Sequence, residues 1–500
     1  MKYAPIIGLE IHVQLKTNTK LFCGCPNVND GDVGPNEAIC PVCTGQPGTL
    51  PVLNAHAVEL AMLAGHALHC EIPDTAKFDR KSYFYPDLPK GYQISQFDIP
   101  VCGKGYVDIE IDDPSARRQA VRIGITRAHL EEDAAKNQHA PDGSSTLVDY
   151  NRGGTPLIEI VTEPDFRSPA EAKAFLQELR MIMRRAGISD ADMEKGQMRC
   201  DANISLMPLN DDETAAQDFL NPKIEVKNIN SFRAVERALL YEIERQKDLY
   251  DANTPPVQST RGWDENKGIT TEQRIKEGSA DYRYFPEPDL PPIELREVRE
   301  RMKSQLPELP SALRERLQTE HGFTKQDAAV LVANEGWADY ADQVMSELGE
   351  WVTIDSDATK TKLAKLVGGW LANKLPAILT ESEKTLKETK IDPENFAEFI
   401  KILHNGEVNS ANGQKLLKLM VETGADPSHI MEEHNLGQNM EEGEVASIIK
   451  RLIEENPAQV EQFKAGKENV LMWFVGQVMK VTEGKANPEK VKEMAREMMK

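Results

Sequence analysis

The run Asp149-Tyr150-Asn151-Arg152-Gly153-Gly154-Thr155-Pro156-Leu157-Ile158-Glu159-Ile160-Val161-Thr162-Glu163-Pro164 decides how this chain is read. A glycine pair and a proline make a turn, and an apolar strand with a single carboxylate follows it. Leu157, Ile158, Ile160 and Val161 flank Glu159, so its ionised form is costly to desolvate unless a cation lies beside it. The plainer alternative is an edge strand with one solvated acid. Upstream, Ile7, Leu9, Ile11, Val13 and Leu15 alternate with polar or small residues. Val121, Ile123 and Ile125 repeat the pattern, which predicts further half-buried strands. Residues 168–186 predict a helix, with Ser168 as N-cap and Pro169 in the first turn, and 231–250 predict another. The fold class expected is α+β, with an N-terminal domain built on a mixed, largely antiparallel sheet. Prolines at 286, 288, 291 and 292 close that domain, taken as residues 1–292. Helical periodicity at 298–305, 310–320, 325–334 and 360–374 predicts an all-helical domain over 293–403. A second all-helical domain is expected over 404–500; its segment 470–479 is apolar all round and expected to be buried.

Five hundred residues exceed one ordinary core, in keeping with several domains. The net charge is −22, from 59 Lys and Arg against 81 Asp and Glu, which argues against a general nucleic-acid coating protein. A local basic patch or a basic partner remains compatible with it. Met1-Lys2-Tyr3-Ala4-Pro5 enters a strand pattern without the regions of a secretory signal, and no apolar run is long enough to span a bilayer. All seven cysteines fall at or before Cys200. That odd number, without an export signal, fits reduced thiols or metal ligands in a cytoplasmic protein.

Several constellations could carry chemistry. Cys23-x-Cys25 and Cys40-x-x-Cys43 are two close thiol pairs joined by a loop rich in Gly, Pro and Asn, a pattern able to close around a structural zinc. On the first strand, Glu10, His12 and Gln14 share the face opposite the apolar residues. Glu131-Glu132-Asp133 follows another strand pattern, and three successive acids repel unless a cation gathers them. Periodicity does not choose between Glu131 and Glu132. Arg199, Asp201, Asn203 and Ser205 fall on one face of a strand-like segment. No G-x-x-x-x-G-K-[ST] loop is found, and no convincing amide-cleaving nucleophile. In the last 37 residues, from Lys464, cations outnumber acids, and Lys467 and Lys485 each follow a glycine.

The stretch quoted above closely resembles the signature of the B-subunit family of aspartyl/glutamyl-tRNA(Asn/Gln) amidotransferases. The likeness continues through Gly8–Leu15, Lys77–Pro86, Gly91–Gln96, Arg199–Ser205 and Asp281–Asp289, and covers essentially the whole chain. The resemblance implies an ATP-dependent carbon–nitrogen ligase that phosphorylates the side-chain carboxylate of Glu-tRNA(Gln) or Asp-tRNA(Asn). Ammonia would come from an amidase (glutaminase) A subunit, with a small C subunit in the same heterotrimer. The likeness implies Mg²⁺ ligands at His12, Glu132 and Glu159 with Glu10 close by; the imidazole leaves Mn²⁺ open as well. Lys81, Tyr83, Tyr85, Arg199, Asp201, Asn203 and Ser205 are then expected to meet ATP or the CCA end of a mischarged tRNA. Lys467, Lys480 and Lys485 would lie on a tRNA-reading tail. One departure is Ala135, where the family usually has glycine. A non-catalytic tRNA adaptor and a metal-dependent hydrolase are the rival readings.

Overall fold

A computed structural model describes residues 2–499 except 30, 141, 276–281, 353–355, 438–441 and 483–484. Asp281 of the motif above and Gly484 of the tail therefore lie outside the described residues.

Alternation turns Lys2–Gln14 into a 13-residue strand, β1. Ile7, Leu9, Ile11 and Val13 are buried on one face; Glu10, His12 and Gln14 are half-buried on the other. The sheet around it adds β2 (Gly105–Glu110), β3 (Ala120–Glu132), β4 (Pro156–Thr162) and β5 (Met198–Leu209). It is completed by β6 (Ile224–Ile229), β7 (Ser259–Asp264) and β8 (Ile269–Ile275). The strand order is β8-β7-β6-β5-β1-β4-β3-β2. All neighbours run antiparallel except β6 and β7, so the sheet is mixed and largely antiparallel, as expected.

Helices α1 (Ala55–Ala67), α2 (Pro169–Arg185) and α3 (Phe232–Asp251) share a core with the apolar face of β1, through residues such as Leu60, Leu176, Leu179, Val235 and Leu239. Each fully buried aliphatic side chain contributes about 1.5–3 kcal/mol. The expected N-cap is present, Ser168 Oγ accepting from Glu171 N at 3.3 Å, and Ser231 caps α3 in the same way, its Oγ accepting from Ala234 N at 3.1 Å. A small sheet of Phe285–Pro286, Asp79–Ser82 and Tyr92–Ser95 is tied to the end of β3. There Gln93 Nε2 donates to the Glu132 carbonyl at 2.7 Å and Leu130 N donates to Gln96 Oε1 at 3.0 Å.

The chain divides into two units, Met1–Pro310 and Ser311–Lys500. The first continues past the proline cluster because Leu295 and Met302 bury into its core and Ile293–Glu294 pairs with Thr75–Ala76. All described elements of the second unit are helices. It holds two apolar clusters, one drawn from residues 313–436 and one from 445–499. A division at 403/404 falls inside the former, where Phe396 and Ile400 share a cluster with Leu416 and Leu417. The helix Asn469–Val481 buries Leu471, Phe474, Val475 and Val478 but leaves Met472 58% exposed. Its small cluster covers one stripe, not the whole circumference expected. No described helix is long and apolar enough to cross a membrane.

Candidate active site

Register brings the polar face of the sheet together. His12 on β1 stands directly opposite Glu159 on β4 and Arg199 on β5, and Glu159 in turn faces His129 on β3. Directly opposed residues of antiparallel strands project to the same side, so the four form one row. Glu10 faces Asp201 in the neighbouring pair position on that side. Glu131, two residues beyond His129, joins the same face. His12 Nδ1 lies 3.2 Å from Glu131 Oε1, and its Nε2 lies 3.6 Å from Glu10 Oε1. His129 Nε2 lies 3.4 Å from Glu159 Oε2 and 3.7 Å from Glu131 Oε2.

Ligand atoms of His12, Glu131 and Glu159 all lie within 4.8 Å of one another, as do those of Glu10, His12 and Asp201. Two buried carboxylates and an imidazole suit a hard divalent ion, Mg²⁺ or Mn²⁺, so the residues fit that group. The acids set a negative field along the row, and without an ion the imidazoles answer it. Burial opposes a charge on His12, yet hydrogen bonds to Glu10 and Glu131 and the nearby acids raise its pKa to about 10. His129 rises to about 9 in the same way, burial being outweighed by Glu159 and Glu131. Burial would raise Glu131, but His12, His129 and Lys81 hold its carboxyl well below the usual range. Glu10 falls to about 2, chiefly through its hydrogen bond to His12.

Glu132, expected as a ligand from the family likeness, is not brought to this group. Its Oε1 accepts from Ile94 N at 2.9 Å and pairs with Lys90 Nζ. Its side chain lines a separate cavity of about 260 Å³, shared with Cys23, Cys43, Arg80, Lys90 and Tyr92. The cause is a register shift between Ile125 and Arg127. The extra residue swaps the faces of β3: Ile123 and Ile125 are in the core before it, Ala128 and Leu130 after it. Arg127, His129 and Glu131 then point to the cleft, and Glu132 points away from it. The candidate donor set brought together is His12, Glu131 and Glu159.

The cleft over this row holds about 1750 Å³ and is lined by Lys81, Tyr83, Tyr85, Arg199, Asp201 and Asn203 among others. Ser205 is buried opposite Ile6 and is not among the lining residues. Arg199 Nη2 bonds Asp133 Oδ2 at 2.6 Å, and Asp201 pairs with Lys227. Burial would lower Lys81, but Glu131, Tyr284 and Glu159 outweigh it and raise its pKa. Its ammonium sits 5.0 Å over the Tyr282 ring. Nearby, Phe97 and Tyr284 stack at 4.4 Å and Tyr83 meets Tyr282 edge-on at 5.9 Å. An acidic floor thus faces a wall of rings and cations. His129 and Lys227 have no direct mark in the sequence. A spacing of two from Glu131 was the only signal for His129.

Cys23, Cys25, Cys40 and Cys43 place their sulfurs within 4.8 Å of one another, a donor set that fits a structural zinc with no open position. In the helical unit, Lys467 and Lys480 are exposed and Lys485 is half-buried.

A profile described as the GatB/GatE catalytic domain matches residues 5–300, and one described as GatB domain matches 354–499. Curated relatives named as the B subunit of aspartyl/glutamyl-tRNA(Asn/Gln) amidotransferase include one from Persephonella marina, 44% identical over 501 residues and covering 100% of both chains. The one from Carboxydothermus hydrogenoformans is 43% identical over 502 residues, covering 100% of this chain and 99% of its own. That from Thermotoga maritima is 44% identical over 494 residues, covering 98% and 97%. The chain therefore belongs to the B-subunit family of aspartyl/glutamyl-tRNA(Asn/Gln) amidotransferases.

Proposed function

We propose that the N-terminal unit activates the side-chain carboxylate of Glu or Asp esterified to tRNA, using ATP, so that ammonia can displace phosphate and form the amide. A carboxylate is a poor acyl donor because its leaving group would be oxide; phosphorylation replaces that with phosphate. The observation that carries this reading is the buried row of His12, Glu131 and Glu159 beneath a cleft walled by cations and rings. When bound there, Mg²⁺ or Mn²⁺ supplies charge neutralisation to the phosphoryl group in transit. Lys81 projects toward the same acids and adds a fixed positive charge over the floor. Arg199, Asp201 and Asn203 offer contacts to phosphate or ribose from the neighbouring strand of the same sheet face. Tyr83, Tyr85 and their aromatic neighbours provide faces for a base of ATP or of the tRNA 3′ end. Glu10 holds His12 in position and sits beside the site.

Ammonia is proposed to come from an amidase (glutaminase) A subunit, in a cytoplasmic heterotrimer with a small C subunit, since this chain carries no convincing amide-cleaving nucleophile. Zinc in the four-cysteine loop has a structural role. The helical unit, with Lys467, Lys480 and Lys485, holds the tRNA body. The test is ATP cleavage by the assembled complex with each mischarged tRNA. Glu131→Gln should lower tRNA-dependent cleavage by at least about 100-fold, more than removing a ligand's supporting partner costs, while free glutaminase activity persists. Retained cleavage in that variant would contradict the assignment.

A further inference from the structure

Lys20 heads the fully buried side chains by volume, with 0% of its surface exposed. A buried ammonium is costly unless well paired. Lys20 Nζ lies 3.8 Å from Cys43 Sγ and donates to the Tyr150 carbonyl at 3.2 Å. One partner is a thiol of the zinc loop; the other begins the turn that leads into β4.

That turn ties down both strands that carry the acid site. Gly154 N donates to the Asp133 carbonyl at 2.9 Å, and Asp133 N donates to the Thr155 carbonyl at 2.8 Å. Asp133 lies just past Glu131, the ligand on β3; β4 starts at Pro156 and carries Glu159. Leu21 N, next to the lysine, donates to the Gly154 carbonyl at 2.8 Å. Gly154 has φ +86, and a Cβ there would touch Lys20 Cδ at 3.4 Å and Cys43 Cβ at 3.6 Å. Lysine, turn and thiol are therefore packed against one another.

We propose that Lys20 is a positioning residue that couples metal in the four-cysteine cluster to the geometry of the His12–Glu131–Glu159 site. Four thiolates around Zn²⁺ leave a net negative charge facing the ammonium. The ammonium is held by that charge and in turn holds the Tyr150 carbonyl, and so fixes the turn. Loss of zinc releases the lysine from one side and loosens the ends of both ligand strands. The zinc is then structural for the reaction site itself, not only for its own loop. This inference rests on the reading of His12, Glu131 and Glu159 as the divalent-cation site.

The test uses the assembled complex, with zinc content measured by elemental analysis. Mn²⁺ affinity is read by electron paramagnetic resonance before and after zinc is stripped and the chelator removed. Mn²⁺ prefers carboxylate and imidazole donors to thiolates, so it reports on the acid site. Hydrogen exchange of the peptide covering 150–156 is followed in parallel. Zinc removal from the wild type should weaken Mn²⁺ binding about tenfold, the lower range for a supporting interaction, and speed exchange in that peptide. Lys20→Met should start with the weakened affinity and lose nothing further when stripped. Lys20→Arg, which keeps the charge, should retain part of the response. Unchanged Mn²⁺ affinity after zinc removal overturns the coupling, as do zinc and Lys20→Met effects that add independently. If Lys20→Met fails to fold, Lys20→Gln, polar but uncharged, takes its place with the same expectation. Glu131→Gln is the control: if it leaves Mn²⁺ affinity intact, the acid-site reading itself fails.

Discussion

Two adjacent glutamates show how much one inserted residue decides. Glu131 meets His12 at 3.2 Å, whereas Glu132 accepts from Ile94 N at 2.9 Å on the other side of the strand. Gly154 is a second residue whose identity follows from backbone geometry, because φ +86 lies in the left-handed region. An added Cβ would find only ordinary contacts at 3.4 and 3.6 Å, so the cost of Gly154→Ala is conformational. It should destabilise the N-terminal unit by about 1–2 kcal/mol, measurable by denaturant unfolding; no loss would mean that the turn is not held as described. At this scale spacing marks the cysteines directly, and pattern draws attention to Glu159 and His12, whose part as ligands came from the family resemblance. The choice of Glu131 was not legible, since the shift at Ile125–Arg127 reverses the faces of β3 and has no sequence mark of its own. Only the pairing with β4 reveals it.

Among elements, helix α3 shows how a buried acid is stabilised. Glu242 is fully buried, with Arg245 Nη2 at 2.8 Å, Arg261 Nε at 3.3 Å and Gln246 Nε2 at 3.1 Å. Burial alone would raise its carboxyl, but Arg245, Thr270 and Gln246 outweigh it and hold it below the ordinary 4.5. A depressed folded pKa adds stability that is complete above the unfolded value and is lost as pH falls through the folded one. Glu242→Gln should therefore cost about 3 kcal/mol at neutral pH, where Arg245 loses its counter-charge. The gap in melting temperature between wild type and variant should narrow as pH drops below 4.5. A gap that stays constant down to acid pH would contradict the pairing. Helices α2 and α3 were legible because Ser168 and Ser231 announce their starts. Strands were legible as segments, but their order was not: β1 lies between β4 and β5, partners more than a hundred residues away in sequence. Pairing of that kind is set by the shared core, not by local signals.

For the whole molecule, the two units part at Pro310/Ser311. The proline cluster looked like a boundary, yet Leu295 and Met302 beyond it complete the first core. The function proposed at this scale is tRNA binding, which an overall charge of −22 leaves to local cations. Replacing Lys467, Lys480 and Lys485 together by Glu should weaken tRNA binding and reduce the salt slope by about one unit for each phosphate no longer neutralised. Filter binding at several ionic strengths reads this, and an unchanged slope would remove the three lysines from the interface. The most direct test of the account is Mn²⁺ titration of wild type, Glu131→Gln and Glu132→Gln, followed by electron paramagnetic resonance. The account predicts that Glu131→Gln abolishes binding at the cleft and that Glu132→Gln retains it. Loss in Glu132→Gln with normal binding in Glu131→Gln would contradict it.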